Sequence, residues 1–383
     1  MTSRHLVLAG AGHAQLDLLA ALSRGRPSGW DVTLVTSQPA FHYSGLMPAI
    51  IAGLLPPDAA QVPVADIARA AGIRVLETSV TGLDAARRTL QLQTGDTIGF
   101  DLLSLDVGSA PAALDVPGAA EFASPMRPFR AALSLIDRLD DALADSDPGT
   151  SIPAVVVGAG AAGVEIAFAV RARIRAAGRT PQVALVDPAM SDGRPLPGFD
   201  EASRTLAERA LVRRGITLHG GDVQEVRRDR VTVRQASVIT ELSSLATAWV
   251  TGPAAPAWLS RAGLACDARG YPLADATLAL TADGTIVGAG DCVTLRDAPD
   301  TPKAGVYAVR MAPVLAGNVL AVMQNRLAER RYVPQRSFLA LLSTGDGMAL
   351  LRWKGVTLES RWAQHLKTWI DQRYLRRYRA LAH

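Results

Sequence analysis

Short runs of aliphatic and β-branched residues recur along the chain, and several of them end in glycines that precede a helix-like pattern. The clearest run, residues 154–157, is typical of a buried parallel strand. Beyond the glycines, Ala167, Val170 and Ile174 recur at i, i+3 and i+7, which predicts an amphipathic helix. This stretch therefore predicts a strand, a glycine turn and a helix in that order.

The turn itself, residues 158–163, reads GAGAAG, a G-x-G-x-x-G motif formed by Gly158, Gly160 and Gly163. In this context the glycines let backbone N–H groups approach a pyrophosphate at the start of the helix. The next predicted strand ends on Asp187, where a carboxylate accepts hydrogen bonds from a ribose 2′-OH and repels a 2′-phosphate. The motif predicts an NAD(H) site that prefers NAD over NADP; the alternative is an ordinary glycine turn.

A weaker copy of the same pattern lies at residues 5–22. Gln15 stands where the third glycine would be, so we expect looser packing of this helix on its strand. The following strand ends on a threonine instead of a carboxylate, which leaves the adenosine contact open. Two copies in one chain suggest two different nucleotides. The candidate cofactor-binding residues of this copy are Gly10, Gly12, His13, Ala14 and Thr36.

Further segments fall where a nucleotide fold places ligand contacts. A polar loop with Ser44 either flanks a bound ring or forms a packed surface turn. Two predicted strands are followed by Gly108 and Gly252, and a third ends on Gly290 and Asp291. Asp291 either binds a ligand or caps the backbone that follows it. A long apolar helix then begins at residues 303–306, and its N-terminus can stabilise negative charge. The candidates at this helix start are Lys303, Ala304, Gly305 and Val306.

Composition narrows the class of protein. Hydrophobic residues make up 49% and charged residues 20% of the 383 residues, which is typical of a soluble globular chain of two to three domains. A net charge of +4 without a basic, aromatic stripe excludes nucleic acid as a partner. Cys266 and Cys292 are too few for a disulfide framework, and we predict no metal site. Without a leader-like or membrane-spanning run, we predict a cytoplasmic protein.

The end of the chain, residues 361–383, shows aromatic and aliphatic residues at helical spacing with basic residues largely off that stripe. Such a helix can lie in a membrane interface, which would place the protein peripherally on the inner face of the cell membrane. Alternatively the stripe docks on its own domain or on the partner in a homodimer. The stripe comprises Trp362, Leu366, Trp369, Ile370, Tyr374, Tyr378 and Leu381.

The paired glycine motifs, GAGD at 288–291 and PKAG at 302–305 together resemble the flavoproteins with two dinucleotide-binding domains, the pyridine nucleotide-disulfide oxidoreductase superfamily. Within it the chain resembles the type II NADH dehydrogenase and apoptosis-inducing-factor-like branch, and most of all the flavin module found alone or fused to selenophosphate synthetase. Residues 43–48 and 342–345 also carry this likeness.

The resemblance implies an α/β fold with two Rossmann-like domains and a small C-terminal α+β subdomain. Residues 1–118 and 266–330 would form a discontinuous FAD-binding domain, residues 119–265 an NAD(H)-binding domain, and residues 331–383 the C-terminal subdomain with the amphipathic helix. FAD would be bound through Gly10, Gly12, Asp291 and Gly305, with Asp291 accepting hydrogen bonds from the ribityl chain. NADH would be bound through Gly158, Gly160, Gly163 and Asp187.

The resemblance also implies an enzyme in which Glu165 lies at the junction of nicotinamide and flavin and hydride passes from NADH to FAD. Lys303 is our candidate for a cation near the flavin, against the alternative of a solvated lysine. Electrons would leave to a quinone, a dye-like molecule, oxygen, or a selenium or sulfur compound. Type II dehydrogenases carry two glutamines near the quinone, whereas residues 306–311 contain none, which leaves quinone open.

Two other functions are compatible with the same motifs. A redox-sensing flavoprotein of the apoptosis-inducing-factor kind would bind NADH, keep its flavin reduced for long and act through partner binding. An NADPH-dependent disulfide reductase is disfavoured by Asp187 and by the absence of a cysteine pair in a C-x-x-C arrangement.

Overall fold

Strands and helices alternate along most of the chain, as the hydrophobic pattern predicts. The computed structural model describes residues 3–190 and 192–382. The helices are α1 (His13–Arg24), α2 (Met47–Ile51), α3 (Val64–Ala70), α4 (Ala119–Phe122), α5 (Phe129–Ala144), α6 (Ala161–Ala176), α7 (Glu201–Arg213), α8 (Gly305–Met323) and α9 (Arg361–Arg379). The strands are β1 (Arg4–Ala9), β2 (Trp30–Thr36), β3 (Phe41–His42), β4 (Gln61–Val62), β5 (Arg74–Glu77), β6 (Val80–Asp84), β7 (Thr89–Leu92), β8 (Thr97–Gly99), β9 (Leu102–Leu105), β10 (Ala110–Pro111), β11 (Ala123–Pro125), β12 (Ser151–Val157), β13 (Thr180–Asp187), β14 (Thr217–Gly220), β15 (Asp222–Val226), β16 (Arg230–Gln235), β17 (Val238–Ser243), β18 (Ala246–Trp249), β19 (Pro253–Ala254), β20 (Leu273–Ala274), β21 (Ile286–Gly288), β22 (Thr294–Leu295), β23 (Ala340–Ser343), β24 (Ala349–Trp353) and β25 (Val356–Ser360).

The first parallel sheet has the order β21-β9-β1-β2-β5. Its central strand β1 pairs with β2 and β9, and β21 joins at the edge with Gly288 opposite Leu105. The late segment of the chain therefore returns to a sheet built from the first hundred residues. An antiparallel meander of β6, β7 and β8 follows β5 before the chain enters β9.

The second parallel sheet, with the order β11-β18-β12-β13-β14, repeats this plan. Here β12 takes the place of β1, β13 that of β2 and β18 that of β9, and a meander of β15, β16 and β17 precedes β18. Each sheet thus carries a glycine loop at the carboxyl end of its central strand. The predicted α/β class with two Rossmann-like units is confirmed; the predicted domain limits remain an interpretation of this topology.

The two units meet just beyond the carboxyl ends of their equivalent strands. After Gly108 the chain forms β10, and after Gly252 it forms β19, and these two strands pair antiparallel with Ala110 opposite Ala254. Because ligands of open α/β sheets bind outside the carboxyl ends of the strands, this pairing brings the two expected nucleotide sites together.

The long helix α8 lies in the core of the first unit. It is the one helix among the described residues that is long and apolar enough to cross a membrane by length and composition, with a mean hydropathy of 1.6. Half of that window is buried inside the protein, where Met311, Leu315 and Val319 join the main hydrophobic core. The packing of α8 against α1 accounts for its apolar composition without a membrane.

The C-terminal region adds an antiparallel sheet of β23, β24 and β25, followed by α9. The strands and the helix agree with the α+β character expected for this region, and β24 and β25 form a hairpin whose turn residues Lys354 and Gly355 both have positive φ. The apolar stripe predicted for α9 is buried only in part. Tyr378 is buried, but Trp362 and Trp369 are 62% and 51% exposed, because α9 docks partly through the polar side chain of Asp371.

Replacing Gly163 by a larger residue should destabilise the packing of α6 against the Gly158 loop, whereas replacing Gly160 should not. A methyl group on Gly163 would lie 1.7 Å from the carbonyl oxygen of Gly158, whereas one on Gly160 meets no atom within 4 Å. We expect Gly163→Ala to lower the free energy of unfolding by about 1–3 kcal/mol or more, although alanine normally favours a helix. Urea unfolding of both variants checks this, and equal midpoints for Gly163→Ala and wild type would contradict the close approach.

Candidate nucleotide and electron-transfer sites

The Gly158 loop connects β12 to α6 and has the geometry of a pyrophosphate cradle. Gly158 has φ +110°, and a side chain there would collide with the carbonyl oxygen of Val250 at 2.3 Å. Gly160 is the N-cap of α6 and faces open space, so a phosphate group can approach the backbone closely there. Gly252, at the exit of the equivalent crossing strand, is likewise free of neighbours.

Asp187 lies beside this loop, where the sequence predicts it. Its Oδ2 accepts a hydrogen bond from the N–H of Ala159 at 2.6 Å, and its Oδ1 accepts from the N–H of Ala189 at 2.8 Å. The carboxylate therefore fixes the loop, and each oxygen keeps a lone pair for a ribose hydroxyl. Its assignment to the ribose remains a prediction.

A cavity of about 370 Å³ opens at the carboxyl edge of the first sheet. It is lined by Gly10, Gly12 and Gly108, and by Thr36 at the end of β2. The Thr36 hydroxyl donates to the carbonyl oxygen of Gln38 at 2.9 Å, so neutral groups occupy the place of the usual ribose-binding carboxylate. The glycines, hydroxyl groups and aromatic side chains of this cavity fit the nucleotide half of FAD, which these residues would hold. We call it the FAD cavity.

The N-termini of α1 and α8 converge at the same edge. The imidazole of His13 lies against Gly305, where an added methyl group would be 3.3 Å from Nε2. Burial, with help from Arg127, lowers the pKa of His13 to about 4, so the ring is neutral at pH 7. Ala304 caps α8 in extended conformation and Val306 lies in its first turn. Two helix N-termini directed at one site favour an anionic ligand.

Asp291 follows Gly290 in a short 3-10 turn and is paired with a residue that sequence reasoning missed. Arg127 donates through Nη1 to Oδ2 of Asp291 at 2.9 Å and also to the Ser109 hydroxyl. These partners lie 164 positions apart along the chain, so no local sequence pattern predicts the contact. Arg127 supplies a half-exposed cation beside the FAD cavity, and the carboxylate of Asp291 retains acceptor capacity for hydroxyl groups.

Lys303 is not the solvated lysine that was one alternative. Its ammonium group donates to the carbonyl oxygen of Val293 and to Oγ1 of Thr294, and it lies 4.2 Å from the centre of the Tyr271 ring. Burial lowers the pKa of Lys303 to about 8. The ammonium group shares a small recess with Gly290 and Asp291. Its proximity to a flavin remains a prediction.

Ser44 is exposed and begins a 3-10 turn, outside the lining of the FAD cavity. The residues that follow it, Gly45 and Leu46, line a different cavity described below. Ala14, the remaining candidate, is buried and uses its N–H to hold Asp106 at the end of β9. Asp106 is not among the predicted site residues; it lies two residues before Gly108, just after the strand β9.

Glu165 belongs to a buried charged group that joins all three parts of the chain. Its Oε1 accepts from the N–H of Ser343 at 2.8 Å and lies 3.8 Å from Nζ of Lys367 on α9. Lys367 in turn donates to Oδ2 of Asp371 at 3.2 Å, and the hydroxyl of Tyr43 donates to Oδ1 of Asp371 at 2.9 Å. We call Glu165, Lys367, Asp371 and Tyr43 the Glu165 cluster.

Burial dominates the electrostatics of the Glu165 cluster. It raises the pKa of Glu165 and of Asp371, in both cases against the attraction of Lys367. Burial lowers the pKa of Lys367, but the two carboxylates outweigh it and the net pKa of Lys367 is raised. The lysine therefore stays charged, whereas burial favours the protonated forms of the two acids.

A second cavity of about 370 Å³ lies next to the Glu165 cluster, between residues 45–59 and α9. One wall is apolar and includes Leu46, Pro48 and Leu55, whereas the α9 wall is polar. We call it the α9 cavity. The amide oxygen of Gln364 is buried and has no hydrogen-bond partner among the described residues. The polar wall consists of Gln364, Lys367, Thr368, Asp371, Gln372, Arg376 and Arg379.

The cysteines are not arranged for thiol chemistry. Cys292 is buried, which raises its thiol pKa to about 12, and burial also raises the pKa of Cys266. Both thiols are free. Within residues 3–190 and 192–382, no cluster of histidine, cysteine or acidic side chains could hold a metal ion.

Comparisons with known proteins agree with this arrangement. A family model described as pyridine nucleotide-disulphide oxidoreductase matches residues 4–312. An NADH dehydrogenase-like protein of Mycobacterium tuberculosis is 28% identical over 246 residues, which is 62% of this chain and 60% of that protein. The chain thus spans less than two thirds of that relative's length.

Solved structures share the fold over nearly the whole chain. The sulfide:quinone oxidoreductase of Aquifex aeolicus superimposes with a TM-score of 0.81 at 19% identity, covering 99% of this chain and 92% of that one. NDH2 of Plasmodium falciparum superimposes with a TM-score of 0.82 at 13% identity, covering 99% and 96%. The expected flavoprotein character and the cofactors FAD and NADH are confirmed. With its paired nucleotide loops and the match over residues 4–312, the chain belongs to the pyridine nucleotide-disulphide oxidoreductase family.

Proposed function

We propose that this protein is an FAD-dependent NADH dehydrogenase that passes electrons to a quinone or a similar small acceptor in the α9 cavity. The observation that carries the proposal is the Glu165 cluster, which starts on the helix of the NADH loop and ends at the wall of the α9 cavity. Its relatives are named as dehydrogenases and quinone-linked oxidoreductases, which supports the same reading.

In this proposal the electron donor, NADH, binds at the Gly158 loop. Its open N-cap at Gly160 and the carboxylate of Asp187 favour NADH over NADPH, because a 2′-phosphate would meet a negative charge. FAD supplies hydride acceptance and electron release when it is bound, and the chain supplies positioning. Glu165 lies one turn into α6 from Gly160, which supports its place near the nicotinamide.

The acceptor end rests on the shape of the α9 cavity. A flat ring fits between the apolar wall at Leu46 and Leu55 and the polar wall of α9. Residues 306–311 contain no glutamine, but Gln364 and Gln372 line the α9 cavity, where their amide N–H groups would donate to the carbonyl oxygens of a quinone. Oxygen, dyes and selenium or sulfur compounds are the competing acceptors.

Proton supply is the task we assign to the Glu165 cluster. Hydride from NADH carries two electrons and one proton, whereas reduction of a quinone to a quinol needs two electrons and two protons. One further proton must therefore reach the acceptor. We assign it to Glu165 and Asp371, because burial favours their protonated forms, and Lys367 between them orients both carboxyl groups.

The outer face of α9 supports a peripheral membrane location. Trp362 and Trp369 are exposed there, and the guanidinium of Arg373 lies 5.2 Å from the Trp369 ring. Exposed tryptophans with arginines suit the headgroup region of an anionic membrane, where a lipid-soluble acceptor is available. The same face is the place where a homodimer partner would bind, so both arrangements stay open to experiment.

An apoptosis-inducing-factor-like sensor is the second function compatible with the fold, and the α9 cavity favours turnover over sensing. A disulfide reductase is opposed by the unreactive cysteines. The likeness to a flavin module fused to selenophosphate synthetase remains a sequence prediction, and selenium compounds therefore belong among the acceptors to be tested.

If the acceptor binds in the α9 cavity, a change in that cavity should slow flavin reoxidation without slowing flavin reduction. Ala49→Trp, which fills the α9 cavity, should leave flavin reduction by NADH unchanged and slow reoxidation by a soluble quinone by about tenfold or more, a loss of about 1.4 kcal/mol in transition-state binding. Anaerobic stopped-flow absorbance follows both steps. Ala70→Trp, at an exposed position at the end of α3, is the control. Equal reoxidation rates in both variants would place the acceptor elsewhere.

Lys367 should stabilise the fold in a pH-dependent way. Lys367→Met leaves two buried acids without their counter-ion, and we expect a loss of about 3–5 kcal/mol at neutral pH. Acids whose folded pKa is raised lower the stability as pH rises above their unfolded pKa, so the loss should shrink towards about pH 5. Urea unfolding at both pH values tests this. Lys354→Met, on an exposed turn, should show neither effect, and a pH-independent loss in Lys367→Met would contradict the charge assignment.

The membrane proposal depends on the two exposed tryptophans. Replacing both Trp362 and Trp369 by serine should weaken co-sedimentation with anionic phospholipid vesicles by about tenfold or more, with flavin content unchanged. Trp353→Ser, which removes a less exposed tryptophan from the β24 turn, should bind as wild type does. Vesicle binding that is equal in all three proteins, or absent in wild type, would rule out this face as a membrane contact.

A further inference from the structure

Asp106 is a buried acid whose position none of the reaction steps above explains. It follows β9, is 3% exposed, and lies two residues before Gly108 at the wall of the FAD cavity. Its Oδ2 accepts hydrogen bonds from the N–H groups of Ala14 at 2.7 Å and Gln15 at 2.9 Å. Helix α1 has glycine as its N-cap and no side-chain cap of its own, so Asp106 caps it from another strand.

The same carboxyl group is in contact with both glycine motifs of the FAD site. A methyl group on Gly12 would lie 2.4 Å from its Oδ1, and one on Gly290 would lie 2.7 Å from the same atom. Oδ1 is thus wedged between the loop at the start of α1 and the turn that carries Asp291. A phosphate group bound by these two backbone segments would lie beside Asp106.

The charges around Asp106 do not compensate a further anion. Asp291 is a second acid nearby, and the guanidinium of Arg127 is already paired with it. His13 is neutral because burial lowers its pKa to about 4. Burial, together with the negative charge of Asp291, raises the pKa of Asp106 to about 7 against the two N–H donors. His42 also lines this cavity, and burial lowers its pKa. Cys292, with Lys303 near it, and Tyr374 are the further titratable groups near Asp106.

We propose that Asp106 is a positioning residue of the FAD site and that the cofactor binds with the Asp106 carboxyl group protonated, so that FAD binding takes up one proton. Oδ2 keeps its two hydrogen bonds to α1 in the neutral acid, and the proton on Oδ1 becomes a donor towards the phosphate group. No bond of the cofactor changes; one proton moves from solvent to Oδ1. The proposal rests on FAD as cofactor and is independent of the acceptor.

The linkage has a defined direction. Binding a dianionic pyrophosphate beside Asp106 raises the pKa of that carboxyl group. The affinity for FAD therefore falls as the pH rises above the pKa that Asp106 has in the protein without FAD. One linked proton gives a slope of up to tenfold in Kd per pH unit. Proton uptake by His13 would instead change the affinity for FAD only in acidic solution, because the pKa of His13 is about 4.

The experiment is equilibrium dialysis of the FAD-loaded protein between about pH 6 and pH 9, with released flavin measured by fluorescence. Wild type should lose affinity by about tenfold or more across this range. Asp106→Asn keeps the shape without the titration and should show no slope, with tighter binding than wild type at the alkaline end. Asp31→Asn, an exposed acid on β2, should follow the wild-type curve.

A wild-type affinity without slope, or the wild-type slope in Asp106→Asn, would overturn the proposal. Calorimetry of FAD binding to wild type in two buffers of different ionisation enthalpy gives a second reading that needs no variant: uptake near one proton above neutral pH supports it, and none contradicts it. Failure of FAD to bind at any pH would instead remove FAD as the cofactor, which separates the two failures.

Discussion

The arrangement of this protein depends on the buried contact between Glu165, Lys367 and Asp371. Glu165 belongs to the helix of the NADH loop, the other two belong to the C-terminal helix, and Tyr43 connects Asp371 to the first unit. Burying three ionisable groups is costly unless each has its partner, and removal of one leaves the others uncompensated. The cluster therefore fixes how α9 lies across both nucleotide-binding units, and with it the position of the α9 cavity.

The two nucleotide loops solve the same packing problem in different ways. At the Gly158 loop the third glycine lets α6 approach the backbone so closely that no side chain fits. At the Gly10 loop Gln15 takes that place, is buried, and donates through Nε2 to the carbonyl oxygens of Ala9 and Ser104. The looser packing expected from Gln15 is thus offset by two hydrogen bonds, and Asp106 completes the start of α1 from across the sheet.

Local pattern was sufficient for most strands of the two parallel sheets, for the glycine turns and for the position of Asp187 beside the Gly158 loop, because these depend on residues a few positions apart. It was insufficient for contacts made by the folded chain. Glu165 bonds to Ser343 over 178 positions and Tyr43 to Asp371 over 328 positions. Asp371 on α9 is buried although it is polar, so the spacing of apolar residues alone does not give the docked face of that helix. Arg127 and Asp106 carry no local motif, and only tertiary structure brings them to the FAD cavity.

The most direct test of the account is the visible spectrum of the purified protein before and after anaerobic addition of NADH. The two nucleotide sites meet where the carboxyl edges of the two parallel sheets are joined by β10 and β19. We therefore expect bound flavin whose absorbance bleaches rapidly with an equivalent amount of NADH. Bleaching should be slower with NADPH because of the Asp187 carboxylate. Colourless protein, or a flavin band unchanged by NADH, would contradict the claim that FAD and NADH occupy these two sites.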